Sequence, residues 1–403
     1  MFDKENLKTQ ILEIYKNKQF LTKDIYIKMY TDIYNFSTYG CIDINSKDKS
    51  LSAYLNQDKF YNFTKDILKE ISLRFSEEIQ ADNFKLNHYC HSYKHYIICS
   101  NVVDNLYQYF NRVFISRAQE SNINVKTYFD NSLLFWKEQV AMDVFNKNKN
   151  LLLDIVREER LNIDSQQDIQ KRDILRNVVN SLIEIDDSLN TYKELFERYL
   201  LIQSNNYYKL INITNNYQKN INEYIERYKR IDDFEHTLII VNTRYETFKA
   251  LKDIYQQILI VDNKEYIINN FKQSLIKQDY ALSKKIYEFF TEFDTDNQMI
   301  TVFCELIESD ITSQINQLHK RRHEDKKIFI QFSEILIEKY TYYYNIINNY
   351  LLIKIQTVKN SFHDTFNNLL NNNIFENHKK NTTNNFICQY LNNNIPKDQL
   401  DNI

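Results

Sequence analysis

Apolar residues recur along the chain at helical rather than strand spacing. Ile174, Leu175, Val178, Val179 and Leu182 fall at i, i+1, i+4, i+5 and i+8, one stripe of an amphipathic helix. Leu151, Leu152, Ile155 and Val156 repeat the pattern one helix earlier, and Leu238, Val241, Tyr245 and Phe248 extend it at i, i+3, i+7 and i+10. Polar clusters interrupt the periodicity at 42–50, 118–124, 162–170, 185–190, 213–219 and 292–298. Their spacing predicts about fifteen helices of ordinary length. No segment sustains a/d heptads over several turns, so a packed stack of short helices is expected in place of a long coiled coil.

Composition sharpens this picture. The 403 residues contain one glycine, Gly40, and one proline, Pro396. A sheet protein of this length needs many turns with positive or fixed φ, which Gly and Pro supply. A chain nearly without them is all-α, turning on Asn, Asp and Ser between helices. The formal net charge of −3 gives no basic field for nucleic acid or an anionic membrane. Cys41, Cys90, Cys99, Cys304 and Cys388 are sparse and odd in number, the pattern of reduced thiols in a cytoplasmic or nuclear protein. No signal peptide or run of 18 apolar residues is present, so no membrane span is expected. The tail from about residue 367 is Asn-rich, a composition typical of loops, with Phe386, Ile387, Tyr390, Leu391 and Ile395 able to form one short terminal helix.

Two early segments carry more apolar surface than one bundle face requires. In DIYIKMYTDIYNF (24–36), Ile25, Met29, Ile33 and Phe36 form a core stripe, while Tyr26, Tyr30 and Tyr34 form a second stripe about 100° away, widened by Ile27. In SNVVDNLYQYFNRVFISR (100–117), read as one helix, Val102, Val103, Leu106, Phe110 and Ile115 suit a core, and Tyr107, Tyr109, Val113 and Phe114 spread around the circumference. Either these helices are buried on most sides, or the surplus aromatics form a partner surface, for which tyrosine is well suited. With 31 tyrosines in the chain, the pattern alone leaves both readings open.

Ile14–Tyr15 followed by 24–36, then Tyr93-x-x-Tyr96 leading into YFNRVFISR (109–117), resembles the opening of a cullin, most closely the cullin of SCF ligases. LLFWKEQV (133–140), LLLDIVREER (151–160), TYKELFERYLLIQSNNYY (191–208), FHDTFNNLL (362–370) and ICQYLNNNI (387–395) match further family segments in the same order. The resemblance covers about residues 5–395. It implies an elongated, α-solenoid-like stalk of three stacked five-helix repeats, at 5–150, 151–270 and 271–370, followed by the tail at 371–403.

The resemblance also implies a role. The chain would be a non-catalytic scaffold of an SCF-type cullin-RING ubiquitin ligase, holding an adaptor with its F-box substrate receptor. The positions matching the family's adaptor-binding surface are Tyr26, Ile27, Tyr30, Tyr34, Asn111, Val113 and Phe114. Cullins continue into a C-terminal region that captures a RING protein. The chain stops at Ile403, so a RING partner is not expected and an adaptor competitor is one reading. The alternative from another class is a helical-rod tethering subunit of a trafficking complex.

No catalytic or cofactor signature competes with this. A phosphate-binding loop is excluded by the single glycine. His91 and His95 share a helix face near His88, Cys90 and Cys99, but no further ligand completes a metal site, and ordinary helix-surface residues are expected. HKRRHEDKK (319–327) is broken by Glu324 and Asp325 and reads as a solvated face. Arg157, Glu158, Glu159 and Arg160 read as surface or inter-helix ion pairs.

Overall fold

The computed structural model describes residues 3–17, 21–40, 49–81, 85–148, 150–163, 169–214, 220–240 and 243–319, and short stretches at 334–335, 338–339 and 341–347. The expectations for 362–370, 387–395, the Asn-rich tail and most of 319–327 lie outside these residues. Every regular element among the described residues is helical, and none of these helices is long and apolar enough to cross a membrane.

The chain divides into two compact units, residues 1–207 with 231–254, and residues 208–230 with 255–403. The first unit opens with α1 (Lys4–Lys16), α2 (Lys23–Asn35), α3 (Lys49–Ala81) and α4 (Leu86–Leu106). It continues through α5 (Gln108–Phe110), α6 (Ser116–Glu120), α7 (Tyr128–Trp136), α8 (Met142–Lys147), α9 (Asn150–Leu161), α10 (Ile169–Glu184) and α11 (Asn190–Tyr192). Then come α12 (Arg198–Thr214), α13 (Ile221–Glu235), α14 (Tyr245–Leu259), α15 (Lys264–Ile276), α16 (Tyr280–Phe290) and α17 (Gln298–His319). Wider π-type turns join several of these pieces, at Phe36–Gly40, Asn111–Ile115, Lys137–Ala141, Lys193–Glu197 and His236–Ile240.

Helix boundaries follow the polar clusters. Chain turns fall at 121–127, 185–189 and 291–297, and α12 ends at Thr214. Capping fixes several starts. Thr127 and Asp130 form a reciprocal capping box on α7, Asp279 accepts from Leu282 N at 3.1 Å, and both Asp294 oxygens accept backbone N–H groups at the start of α17. With glycine absent, left-handed posts are held by Asn122, Leu189, Gln278 and Asn297, at φ between 53° and 60°. Asn is a known substitute there; Leu and Gln carry a Cβ penalty of about 1 kcal/mol or more.

Two sequence expectations are corrected. The segment 100–117 is not one helix. Buried Tyr107 sits at φ −90°, ψ 5°, ends α4, and donates its N–H to the Val103 and Asp104 carbonyls, so the chain bends before α5. The stripe from Leu238 to Phe248 is also broken: a π-type turn ends α13 and a new helix starts at Tyr245, which is 65% exposed. The stripes of α9 and α10 are as expected, with Leu152, Ile155, Val156, Leu175, Val178, Val179 and Leu182 buried.

The core of the first unit is aromatic, and the hydroxyls around Trp136 are partnered, whereas those of buried Tyr107 and Tyr128 make no hydrogen bond among the described residues. Trp136 is fully buried between Tyr89, Tyr93, Tyr96 and Phe75, at ring-centroid distances of 5.8, 5.4, 4.7 and 5.7 Å. Its indole N–H donates to the Tyr89 hydroxyl at 3.1 Å, Tyr96 donates to the Ser132 carbonyl at 2.9 Å, Tyr93 to Glu184 at 2.8 Å, and Tyr15 pairs with Ser100 at 2.8 Å. Burial pushes these phenols up, Tyr89 to about 12.

Buried charge is the second framework. Glu159 and Arg160, neighbours on α9, pair in different directions: Glu159 accepts from Arg172 of α10 at 2.7 Å, and Arg160 donates to Glu235 of α13 at 2.6 Å and to Ser204 of α12 at 2.8 Å. All four charged side chains are at most 9% exposed, so these two pairs realise the inter-helix half of the expectation, and the exposed Arg157–Asp154 and Lys171–Glu158 pairs its surface half.

The second unit packs α15 against α16 as a helical hairpin, with Ser274 and Ser283 hydroxyls 2.8 Å apart. Ile267, Phe271, Ile286, Phe290, Met299 and Ile307 centre its core.

Candidate functional site

Helix α2 shows how one sequence stripe is satisfied by the fold and another is not. Thr22 caps it, accepting from Ile25 N at 3.4 Å. Met29 and Ile33 are completely buried, and the helix packs on α4 and α5. That consumes its core face. Tyr26, Tyr30 and Tyr34 are only half-buried, and Ile27 is 51% exposed. Their hydroxyls make no hydrogen bond among the described residues. Single exposed apolar residues are ordinary on protein surfaces; an aromatic row beside an exposed Ile is not.

The row continues onto the next element. Tyr30 stacks on Tyr34 with centroids 6.5 Å apart and planes 19° apart, and Tyr34 meets Tyr109 of α5 at 4.5 Å. The Arg112 guanidinium lies over Tyr109 at 5.4 Å, an exposed cation at the end of three rings. Tyr109 and Arg112 were not among the sequence-derived site residues. The signal for Tyr109 was its place on the surplus face of 100–117; nothing in the sequence set it next to Tyr34.

The turn at Asn111–Ile115 positions the rest. Asn111 is half-buried, and its Nδ2 donates to Asp104 Oδ1 at 2.9 Å; the same oxygen accepts from Phe129 N at 3.0 Å. Asn111 therefore braces the bend between α4, α5 and α7 in addition to bordering the row. Val113 is half-buried. Phe114 is a correction: it is 2% exposed, stacked on Phe110 at 5.1 Å and beside Tyr61 at 6.0 Å. It packs the repeat from inside and presents no surface to a partner. The contacts bring together Tyr30, Tyr34, Tyr109 and Arg112; Tyr26 and Ile27 lie on the same helix as Tyr30 and Tyr34, and Asn111 and Val113 lie on the turn that follows Tyr109.

The histidine and cysteine cluster holds no comparable geometry. His91 Nδ1 contacts the Asn87 carbonyl at 2.7 Å, and His95 Nε2 the Tyr15 carbonyl at 2.6 Å, so each imidazole already has a backbone partner. No group of three His, Cys, Asp or Glu side chains able to hold a metal occurs among the described residues. Burial raises the Cys90 thiol to about 11, the opposite of an activated nucleophile.

Comparison with known proteins agrees with this architecture. The chain matches the cullin alpha solenoid domain over residues 4–402. It is similar to Cullin-1 of Dictyostelium discoideum, 25% identical over 287 residues, which cover 65% of this chain and 35% of that protein. It is similar to Cullin-1 of Caenorhabditis elegans, 22% identical over 305 residues, covering 67% and 38%. The chain thus spans a little over a third of each relative. A family match running from α1 almost to the last residue, on an all-helical fold, makes the chain a member of the cullin family.

Proposed function

We propose that this chain is a non-catalytic scaffold of an SCF-type cullin-RING ubiquitin ligase, holding an adaptor with its F-box substrate receptor in the repeat at 5–150. The carrying observation is the Tyr30–Tyr34–Tyr109 row with Ile27 beside it, left open to solvent after Met29 and Ile33 have met the core. Large rings on a rigid helix lose little side-chain entropy on docking and gain most when a groove desolvates them. The family membership and the likeness to two Cullin-1 proteins support this partner class.

A direct test is capture of a purified SCF adaptor by the full chain. The unsubstituted chain should bind, and Tyr30→Ala with Tyr34→Ala should abolish binding while the helical circular dichroism and the melting temperature stay near those of the parent. Retained binding by the folded double variant would overturn the surface assignment. Failure of the parent chain to bind any SCF adaptor would overturn the function.

A further inference from the structure

The second unit contains a cavity of about 420 Å³ between α15, α16, α17 and the helical stretch 341–346. That volume falls within the range of small-ligand pockets. Its apolar side is formed by Leu275, Phe303, Leu306 and Ile346. Its other wall is aromatic. Tyr342 and Tyr343 meet edge to face at 5.1 Å, Phe303 stands 6.1 Å from Tyr343 at 84°, and the Tyr280 and Tyr342 hydroxyls are hydrogen-bonded to each other. The end of α15 shapes the rim, where Gln278 takes a left-handed turn and Asp279 N returns to the Ser274 carbonyl at 2.9 Å.

Among the described lining residues the charges are two carboxylates and one ammonium, Asp310, Glu338 and Lys339. Asp310 Oδ2 accepts from both the Tyr343 hydroxyl and Lys339 Nζ, each at 2.8 Å. Lys339 also lies over the Tyr342 ring at 5.8 Å. The protein's own cation therefore already demonstrates the recognition chemistry of this wall: an ammonium set between a ring face and a carboxylate. Glu338 is exposed and makes no ion pair among the described residues, so the described lining carries one carboxylate beyond the Asp310–Lys339 pair. The Tyr343 phenol is pushed well above its usual range, first by burial and then by Asp310, in keeping with a negative local potential.

We propose that this cavity binds an organic cation on an apolar stem, the side chain of a lysine presented by another protein. The ring faces and Glu338 take the ammonium, and Leu275, Leu306 and Ile346 take the methylenes. A phosphate or carboxylate ligand would face two carboxylates against one lysine that is already paired. The site is remote in sequence from the α2 face and does not depend on the adaptor reading.

The test is calorimetric or NMR titration of the full chain with the capped tripeptide Ala-Lys-Ala and with its norleucine counterpart, which keeps the stem and removes the charge. The lysine peptide should bind at least about tenfold tighter than the norleucine peptide. Two variants should move the affinity in opposite directions. Glu338→Gln should weaken the lysine peptide about fivefold, and Lys339→Met, which removes the resident cation, should strengthen it by a similar factor. Glu338 lies on the surface, so its variant keeps the fold intact. Equal binding of both peptides, no saturable binding of either, or shifts of the same sign in the two variants would overturn the proposal.

Discussion

Two sets of tyrosines in the first unit differ in what surrounds an identical side chain. Tyr15, Tyr89, Tyr93 and Tyr96 are sealed around Trp136 with each hydroxyl given a partner. Tyr26, Tyr30 and Tyr34 lie on α2 partly exposed, and their hydroxyls make no hydrogen bond among the described residues. Burying a phenol demands a hydrogen bond, because an orphaned hydroxyl costs roughly 1–3 kcal/mol. A tyrosine at a surface meets that demand with solvent and keeps its ring for another molecule. On the proposed reading the same residue type serves stability in one place and recognition in the other, and substitutions should separate the two.

The largest effect belongs to the sealed set. Trp136→Ala empties the space shared by four aromatic rings and should cost about 3–5 kcal/mol in urea or thermal unfolding. A cost under about 1 kcal/mol would mean that the ring cluster is not the centre of the unit. Charges obey the same division. Glu235→Gln leaves Arg160 buried without its counter-ion and should cost roughly 3 kcal/mol, whereas Glu158→Gln, in the exposed pair with Lys171, should cost under about 1 kcal/mol.

Next in size is Tyr34→Ala. It should weaken adaptor binding by about 1–3 kcal/mol while changing unfolding stability by less than that. Equal losses in both measurements would place Tyr34 with the sealed set. High pH should also probe the sealed set. Burial raises the folded Tyr89 phenol from 10.0 to about 12, so the fold keeps a proton that the unfolded chain releases. The stability held by that neutral form is complete below pH about 10 and is lost as pH rises from there towards about 12. Tyr89→Phe should therefore flatten the fall in stability over that window, measured by denaturant titration at successive pH values. The smallest effect is a gain: Gln278→Gly removes a Cβ from a left-handed residue and should raise stability by roughly 0.5–1 kcal/mol.

The all-helical architecture was legible because two signals agreed, the 3.6-residue period and the near absence of glycine and proline. The unsatisfied stripe of α2 was legible for the same reason, since a helix face is fixed by spacing alone. What depended on neighbours was not. Phe114 shares its helix with exposed Arg112, and only the bend at Tyr107 and the ring of Phe110 decide that it turns inward. Tyr109 completes the row through a contact with a helix more than seventy positions away in the chain, and Arg112 joins it through Tyr109. The sequence leaves Glu159 and Arg160 between surface and inter-helix pairing, because their partners, Arg172 and Glu235, come from other helices. Leu189 and Gln278 occupy left-handed turns without a local signature, since neither position carries the Gly or Asn that usually announces one.

The opposite pairing of Glu159 and Arg160 has an evolutionary consequence. Adjacent positions on a helix point about 100° apart, so the two pairs hold α9 like spokes and fix its rotation about its own axis. A change in either acid or base alone removes one half of a buried ion pair. Changes at 159 and 172 must be inherited together, as must those at 160 and 235, and a chimera exchanging α9 between relatives would fold only if it carried both distant counterparts with it.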